Sequence, residues 1–351
     1  MKHKFLPALL CCLLLLCGTG IQAFALGAES STIYNGVDVS QYQGDIDFAQ
    51  VKGAGFKVEY IRAGWGDNNT DPYFEQNYKK ASAAGMQMGF YYYVTATTVE
   101  EAKSQAQYFG SLLAHKNYDG HPAMDFEEFG NLSAAEIQAI GLAFLQELQA
   151  VTNVVPMIYT DASNATDLWG DAFADYPLWI ADYTGNALPD NPVWDAWTAY
   201  QYGQSSTVNG IGDEVDLDYF SAGTFLSDDE IKSVNQQRVT AGISSVAHVI
   251  RPGESFWAIA TRYGINPYFL AATNSLCIFQ VIYPGQQLEV YLQEEQGVNV
   301  VSYTVKRGDT LWALSRKYKV CIPNIAGYNN IANPNLIFVD QQLTIPINPR
   351  G

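Results

Sequence analysis

An apolar run ends in two carboxylates at Pro122-Ala123-Met124-Asp125-Phe126-Glu127. If this run is a buried strand, its side chains alternate with a period of two, so Asp125 and Glu127 face the same way at its carboxyl end. Parallel barrels place their active sites at that end of their strands. Taken alone, the hexapeptide is also compatible with a solvated strand end or with a cap on the next helix.

Strand-like and helix-like segments alternate around this run from residue 30 to residue 226. The pattern predicts strands at 34–39, 57–63, 87–94, 121–127, 155–160, 177–183, 196–202 and 214–219. It predicts helices at 47–54, 73–84, 99–114, 133–151 and 161–169. Because helices follow only the first five strands, we predict an α/β barrel whose last third lacks the usual helices. An open doubly wound sheet is the alternative, although no glycine-rich phosphate loop follows any strand.

Acidic and aromatic side chains gather at the predicted strand ends. Asp38, Asp182 and Asp216 end three other strands, and a barrel would bring them to one mouth with Asp125 and Glu127. Aromatic residues lie on or just beyond the same strands: Trp65, Tyr91, Tyr93, Tyr159, Trp179, Tyr183, Trp194, Trp197, Tyr200 and Tyr202. Sugar rings stack on aromatic faces while their hydroxyls need polar partners. An acidic mouth with aromatic walls therefore favours glycoside hydrolysis.

Other chemistries and partners are disfavoured by composition. The four histidines form no ligand-spaced pair, so we predict neither a zinc site nor a Ser-His-Asp triad, and no cofactor. Residues 26–243 hold 30 Asp and Glu against 9 Lys and Arg, a net charge of −21, whereas residues 244–351 hold 6 against 8. An acidic domain is a poor partner for nucleic acid or for anionic membrane surfaces.

The amino terminus has the features of a secretory signal. Lys2 and Lys4 precede an apolar segment from Leu6 to Cys17, and Ala23-Phe24-Ala25 is a small-x-small cleavage pattern. We therefore predict a signal peptide over residues 1–25 and no membrane association once it is removed. A transmembrane anchor is the competing interpretation, but the apolar segment is short for a bilayer span.

The tail repeats itself with a period of 55 residues. Gly253-Glu254-Ser255-Phe256-Trp257 aligns with Gly308-Asp309-Thr310-Leu311-Trp312 without a gap. Each unit is predicted to be a strand, two helices and a second strand, with polar linkers at 227–245 and 293–301. Cys277 and Cys321 could pair, but they lie in different repeats at non-equivalent positions, which does not favour a disulfide.

Residues 34–225 resemble the family 25 glycoside hydrolases, the muramidases often called Chalaropsis-type lysozymes. The matching motifs occur in the family's order: Gly36-Val37-Asp38-Val39-Ser40, Asp125-Phe126-Glu127, Pro156-Met157-Ile158-Tyr159-Thr160, Pro177-Leu178-Trp179-Ile180-Ala181, Trp197-Thr198-Ala199-Tyr200-Gln201-Tyr202 and Val215-Asp216-Leu217-Asp218. The resemblance implies a (β/α)5(β)3 barrel over residues 33–226. It also implies cleavage of the β-1,4 bond between N-acetylmuramic acid and N-acetylglucosamine in peptidoglycan.

The tail repeats, at 246–292 and 302–347, resemble LysM modules, which bind glycans that contain N-acetylglucosamine. The resemblance points to these contact residues: Gly253, Glu254, Ser255, Phe256, Ile282, Gly308, Asp309, Thr310, Leu311 and Ile337. The whole chain is thus predicted to be a secreted, wall-associated, monomeric muramidase. A non-catalytic glycan-binding protein, or a hydrolase of another N-acetylhexosamine polymer such as chitin, is the alternative.

The spacing of the carboxylates suggests a mechanism. Asp125 and Glu127 should lie about 6.5–7 Å apart at Cα and address the substrate from one side. That arrangement suits substrate assistance, with Glu127 as acid and then base and Asp125 orienting the acetamido group of the sugar. Asp38 and Asp216 would hold and tune the pair. Sugar-positioning roles are expected for Tyr93, Tyr159, Asp182, Trp197 and Gln201. A double displacement with a carboxylate nucleophile is the runner-up.

Overall fold

A computed structural model describes residues 26–350, and the predicted signal peptide lies outside the described residues. The elements up to residue 226 are, in chain order, β1 (Gly27–Ala28), β2 (Ile33–Val39), α1 (Phe48–Gly53), β3 (Val58–Trp65), β4 (Asn69–Thr70), α2 (Phe74–Ala84), β5 (Gln87–Tyr93), α3 (Val99–Leu113), β6 (Ala123–Asp125), α4 (Ala134–Thr152), β7 (Met157–Asp161), α5 (Ala162–Asp167), β8 (Leu178–Ala181), β9 (Ala196–Trp197), β10 (Ala199–Ser206) and β11 (Val215–Ser221).

Eight of these strands close into a barrel. Their order is β2-β3-β5-β6-β7-β8-β10-β11, and β2 pairs with both β3 and β11, so the sheet has no open edge at that point. The prediction of an eight-stranded barrel is confirmed, and the open doubly wound sheet is wrong. All neighbours are parallel except β11, which runs antiparallel to β10 and β2. An antiparallel neighbour needs no crossover helix, which explains why a loop suffices between β10 and β11.

Local sequence sets the helix boundaries. Ser133 begins α4 with a capping box, in which its backbone N–H donates to Glu136 (2.8 Å) and Glu136 N–H donates back to the Ser133 hydroxyl. This reciprocal bonding satisfies two backbone donors that a helix start otherwise leaves free. One face of α4, including Ile137, Phe144 and Leu148, then packs on the barrel. The predicted start of this helix is confirmed.

Large aromatic rings fill the inside of the barrel. Tyr60 stacks on Phe220 with ring centroids 5.0 Å apart, and Trp179 packs against both rings. Glycines on neighbouring strands leave room for them, since a Cβ atom at Gly89 would lie 2.2 Å from the Tyr60 ring and one at Gly36 would lie 2.4 Å from Phe220. These rings pack the inside of the barrel beneath its carboxyl-terminal mouth.

The tail contains α6 (Asp228–Thr240), β12 (Ser245–Val249), α7 (Phe256–Tyr263), α8 (Pro267–Thr273), β13 (Gln287–Tyr291), β14 (Val300–Thr304), α9 (Leu311–Tyr318), α10 (Ile322–Tyr328) and β15 (Gln342–Pro346). Each repeat contains the predicted strand, two helices and strand, and its two strands pair antiparallel. The segment 227–245, predicted as a polar linker with at most a turn or two of helix, is mostly the helix α6. Val234 of α6 joins the barrel core, so this segment is part of the barrel's packing.

The first repeat is docked against the barrel by a buried ionic cluster. Asp119, between α3 and β6, accepts a hydrogen bond from Arg251 (2.9 Å) and forms an ion pair with Arg262 (3.1 Å) of the first repeat. Arg262 also donates to Asn117 and to the Tyr118 carbonyl, both at 2.7 Å. Burial alone would raise the pKa of Asp119, but the two guanidinium groups outweigh it and hold that pKa below its ordinary value.

The two repeats are also joined to each other. A disulfide links Cys277 to Cys321, with Cα atoms 5.7 Å apart, so the expectation against pairing was wrong. Fully buried Asn324 of the second repeat accepts from Ile278 N–H and donates to the Leu276 carbonyl. The repeats stack through different faces, which is why non-equivalent cysteines meet. No helix within residues 26–350 is long and apolar enough to cross a membrane.

Candidate active site

A cavity of about 230 Å³ opens at the carboxyl ends of the barrel strands. Its walls are Asp38, Ser40, Tyr42, Gln43, Arg62, Tyr91, Tyr93, Asp125, Glu127, Tyr159, Trp179, Gln201 and Asp216. Another hollow, of about 240 Å³, lies between α3, α4 and α6 and is walled mainly by apolar side chains. Four carboxylates face the first cavity, so the chemistry of the molecule lies at the barrel mouth.

Asp125 and Glu127 meet in this cavity as the sequence predicts. Asp125 ends β6 and is 8% exposed, with its Oδ1 atom buried and without a hydrogen-bond partner among residues 26–350. Burial, and then the neighbouring charge of Glu127, raises the pKa of Asp125 well above its usual range. Glu127 lies at the more exposed rim, and desolvation of its carboxyl raises its pKa too. Two close carboxylates do not ionise together easily, so the pair holds its last proton more tightly than two isolated carboxyl groups would.

Gln201 organises the opposite side of the cavity. Its amide nitrogen donates to Asp38 at 2.7 Å, and its amide oxygen accepts from Tyr159 at 2.8 Å and also from Tyr183. An ionised Asp38 only accepts, so it directs the amide nitrogen of Gln201 toward itself and leaves the amide oxygen facing the two tyrosine hydroxyls. Burial, and then repulsion from Asp216, raises the pKa of Asp38 to about 7.

A further buried carboxylate supports this side. Asp216 lies opposite Asp38 in the β11–β2 pairing, and Asp218, two residues later, is fully buried. Asp218 accepts from the indole nitrogen of Trp179 at 2.9 Å. Burial, and then the charge of Asp38, raises the pKa of Asp218 well above its ordinary value. Sequence reasoning omitted Asp218 from the site, although its i, i+2 spacing from Asp216 repeats the signal seen in Asp125 and Glu127.

Arg62 was also missed. It lies within β3, three residues before the strand ends, and lines the cavity, and its Nε atom donates to Asp71 at 2.9 Å. A basic residue at the end of a predicted strand was the available signal. Tyr93, Tyr159 and Gln201 line the cavity, and their sugar-positioning roles stay a prediction.

Two predicted sugar contacts lie elsewhere. Asp182 accepts from the backbone and hydroxyl of Thr184, which engages its carboxylate in a local turn away from the cavity walls. Trp197 is 8% exposed and belongs to the core outside the barrel, although Ala199 faces the inside. The chain breaks its alternation between β9 and β10, and this break turns Trp197 away from the mouth.

The predicted glycan contacts of the tail divide into surface and core. In the second repeat, Asp309, Thr310, Leu311 and Ile337 line a cavity of about 280 Å³. Gly308, and in the first repeat Gly253 and Ser255, are exposed, and Ile282 is half-buried. The side chains of Phe256 and Leu311 pack mainly in the cores of their repeats.

Glu254 of the first repeat is turned inward. Its carboxylate accepts from His248 at 2.8 Å and from the Arg251 backbone at 2.7 Å. The corresponding Asp309 of the second repeat accepts from Tyr303 and the Lys306 backbone in the same way. These carboxylates shape their loops, so their expected contact with glycan would be indirect. Within residues 26–350, no cluster of three or more His, Cys, Asp or Glu could hold a metal ion.

Comparison with known families agrees with this geometry. The family model described as glycosyl hydrolases family 25 matches residues 37–211, and the LysM domain model matches 248–290 and 303–346. The autolytic lysozyme of Clostridium acetobutylicum is 31% identical over 57% of this chain and 63% of its own length. The N,O-diacetylmuramidase of Chalaropsis sp is 31% identical over 51% of this chain and 96% of its own length.

A solved structure shares the fold. The spore cortex lytic enzyme SleM of Clostridium perfringens superposes with a TM-score of 0.50 at 23% identity, over 55% of this chain and 69% of that protein. At that identity the likeness concerns the barrel alone.

Proposed function

The chain belongs to the glycosyl hydrolases of family 25 and carries two LysM domains, and from this premise we propose that it is a muramidase. The bond cleaved is the β-1,4 linkage between N-acetylmuramic acid and N-acetylglucosamine in peptidoglycan. The observation that carries the proposal is the pair Asp125 and Glu127, which meets in one cavity with pKa values raised by burial. Five strand–helix units followed by three strands also accord with the (β/α)5(β)3 barrel that the family resemblance implies.

The shared proton sets the order of events in the proposed mechanism. In the free protein the strongly raised pKa of Asp125 keeps a proton on that side chain, and its O–H group donates a hydrogen bond to Glu127. When the N–H group of a bound acetamido substituent approaches Asp125, the ionised carboxylate accepts its hydrogen bond more strongly than the protonated carboxyl group does. The proton therefore moves to Glu127, which becomes the general acid.

Bond cleavage then follows by substrate assistance. The acetamido oxygen attacks the anomeric carbon, the glycosidic C–O bond breaks, and the leaving oxygen takes its proton from Glu127. Ionised Asp125 stabilises the positive oxazolinium. Water next attacks the anomeric carbon and gives a proton back to Glu127, while the bond between that carbon and the acetamido oxygen breaks and restores the acetamido group. Two successive inversions at the anomeric carbon retain its configuration. Asp38, held by Gln201, and Asp216 tune the charge of the pair.

The LysM domains are proposed to hold the enzyme on the wall after secretion through the predicted signal peptide. Two binding sites on one polymer raise the local concentration of substrate at the barrel even when each site is weak. The first repeat is not a flexible tether, because its ion pairs with Asp119 leave little freedom of movement between the repeat and the barrel. Truncation near Ile243 would uncover that interface, so a shortened chain is not a clean test of retention.

The proposal is tested by digesting purified peptidoglycan with the chain from Leu26 and with its Glu127→Gln variant. New reducing ends are reduced with borohydride and identified by mass spectrometry. We expect muramitol ends from the unmodified enzyme and at least about a hundredfold fewer from the variant. Glucosaminitol ends would assign the cleavage to the other linkage. No new ends on peptidoglycan or chitin would favour a binding protein, and a trapped covalent glycosyl-enzyme would replace substrate assistance by double displacement.

A further inference from the structure

One positive charge stands in the otherwise acidic cavity. Among the residues that line it, Arg62 is the sole Lys or Arg, facing a site that holds Asp38, Asp125, Glu127 and Asp216. The mechanism above assigns it no step. Its charge lowers the pKa of Asp125, but burial and Glu127 outweigh that effect. Keeping Asp125 ionised therefore does not account for the presence of Arg62 in the cavity.

The guanidinium of Arg62 is rigidly held. Its Nε atom donates to Asp71, and Asp71 is itself fixed by the backbone N–H groups of Gln41 and Tyr73, each at 2.9 Å. The ring of Tyr42 lies 5.1 Å from the guanidinium carbon, and the ring of Trp65 lies 5.2 Å from it. Cation–π contacts and a charged hydrogen bond together preorganise this group at the edge of the cavity.

One nitrogen atom of the same group lacks an acceptor. Arg62 is 9% exposed, and its Nη2 atom is buried without a hydrogen-bond partner in the described part of the chain. A buried donor without an acceptor is costly, and a guanidinium pairs best with planar carbonyl or carboxyl oxygens. The missing acceptor is therefore expected to arrive with the ligand.

We propose that Arg62 recognises the lactyl substituent of N-acetylmuramic acid. This ether-linked group ends in a carboxylate, or in an amide carbonyl where a stem peptide is attached, and both supply planar acceptor oxygens. N-acetylglucosamine lacks the substituent altogether. Arg62 is thus a specificity-determining residue that makes the cavity prefer peptidoglycan over chitin. The inference rests on the proposed function and deepens it.

The test compares one substrate that has the lactyl group with one ligand that lacks it. Hydrolysis of a peptide-free tetrasaccharide of alternating N-acetylglucosamine and N-acetylmuramic acid gives kcat and KM. Chitotetraose, added as a competitive inhibitor of that hydrolysis, gives a Ki that reports on the catalytic cavity and not on the LysM sites. All three constants are measured for the full chain from Leu26 and for Arg62→Met.

For Arg62→Met we expect kcat/KM to fall about ten- to hundredfold, mainly through KM, because a charged hydrogen bond to substrate is lost. The Ki of chitotetraose should stay within about twofold. Arg62→Lys keeps the charge beside Asp71 but removes the planar donors, so it should shift KM in the same direction even if the methionine variant folds poorly. Lys103→Met, which removes one exposed positive charge on α3, should leave kcat, KM and Ki unchanged.

Three results would overturn the inference. If KM and Ki weaken together, Arg62 shapes the cavity for any hexosamine polymer. If kcat falls with a displaced pH profile while KM is unchanged, Arg62 acts through Asp125. If KM is unaltered in both Arg62 variants, the lactyl group is not its ligand. Failure of the proposed function is separately visible, because the unmodified enzyme would then release no muramitol ends.

Discussion

The docking of the first LysM domain on the barrel can be broken from the tail side without touching the barrel. Replacing Arg251 and Arg262 by methionine removes both cationic partners of Asp119 while keeping side chains of similar length. It also removes the bonds from Arg262 to Asn117 and to the Tyr118 carbonyl. We predict that the double variant folds but loses the fixed contact between the two domains.

The magnitude follows from the number and burial of the broken bonds. The charged hydrogen bond from Arg251 to Asp119 contributes about 1.5–3 kcal/mol when buried, and the ion pair between Arg262 and Asp119 adds to it. The arginine side chains are 13% and 19% exposed, so solvent screening reduces the sum. Asp119 keeps one donor, the Met88 backbone N–H at 2.9 Å. We therefore expect a loss of about 2–4 kcal/mol from the docking free energy.

The second repeat supplies the matched control. With the 55-residue period, Lys306 and Lys317 correspond to Arg251 and Arg262, and both lysines are exposed to solvent. Lys306→Met with Lys317→Met should change stability by no more than about 1 kcal/mol, which includes the contacts of Lys317 with two tyrosine rings. Comparing the two double variants distinguishes the effect of losing two positive charges in a LysM domain from the effect of losing the contact with the barrel.

Hydrogen exchange and calorimetry give the readout. Backbone amides at 115–121 and 246–254 should exchange about 30- to 1000-fold faster in the arginine double variant, as the expected free energy implies, and unfolding should split into two transitions. Because the pKa of Asp119 is lowered in the folded protein, docking should also weaken as the pH falls through that pKa. A single transition with unchanged exchange in the arginine variant would refute the assignment of the docking energy to this cluster.

Two further predictions concern the cavity and the tail. The pKa of Asp38 is about 7 in the folded chain, whereas the unfolded chain releases the same proton near pH 4. The bound proton therefore stabilises the folded chain fully below about pH 4, and this contribution to stability declines above that pH and is lost as the pH rises through 7. Asp38→Asn should therefore stabilise the protein at pH 8 by about 2–4 kcal/mol and flatten the dependence of its unfolding free energy on pH, at the expense of activity. Denaturant titrations in which the unfolding free energies of the variant and the parent change equally with pH would contradict this. Cys321→Ser opens a loop whose cysteines are 44 residues apart and should lower the unfolding free energy of the tail by about 2–4 kcal/mol, whereas in the presence of reductant the variant and the parent should unfold alike.

Local patterns in the sequence were sufficient for the barrel elements and for the central pair of carboxylates. Apolar runs of strand length and the capping box at Ser133 depend on residues a few positions apart, so they are legible without knowledge of the fold. The i, i+2 spacing of Asp125 and Glu127 places both on one strand face by the same logic. The 55-residue repeat likewise needed only the sequence set against itself.

Burial and long-range partners came only with the tertiary structure. Gln201 binds Asp38 across 163 residues, and Arg251 binds Asp119 across 132, which no local pattern encodes. The irregularity between β9 and β10 turned Trp197 away from the mouth, because a single break in the alternation of side chains moves the preceding side chains to the other face of the sheet.

The residue types and their spacing therefore determined that this chain has an acidic catalytic barrel and a repeated tail. Which carboxylates keep a proton, which cation faces the ligand and how the tail is held were decided by tertiary packing. The physical reason is that pKa values, unpaired donors and domain contacts depend on desolvation and on distances of a few ångströms between residues remote in the chain. Arg62 and Asp218 look like ordinary charged residues in the sequence, and only closure of the barrel buries them beside the reacting groups.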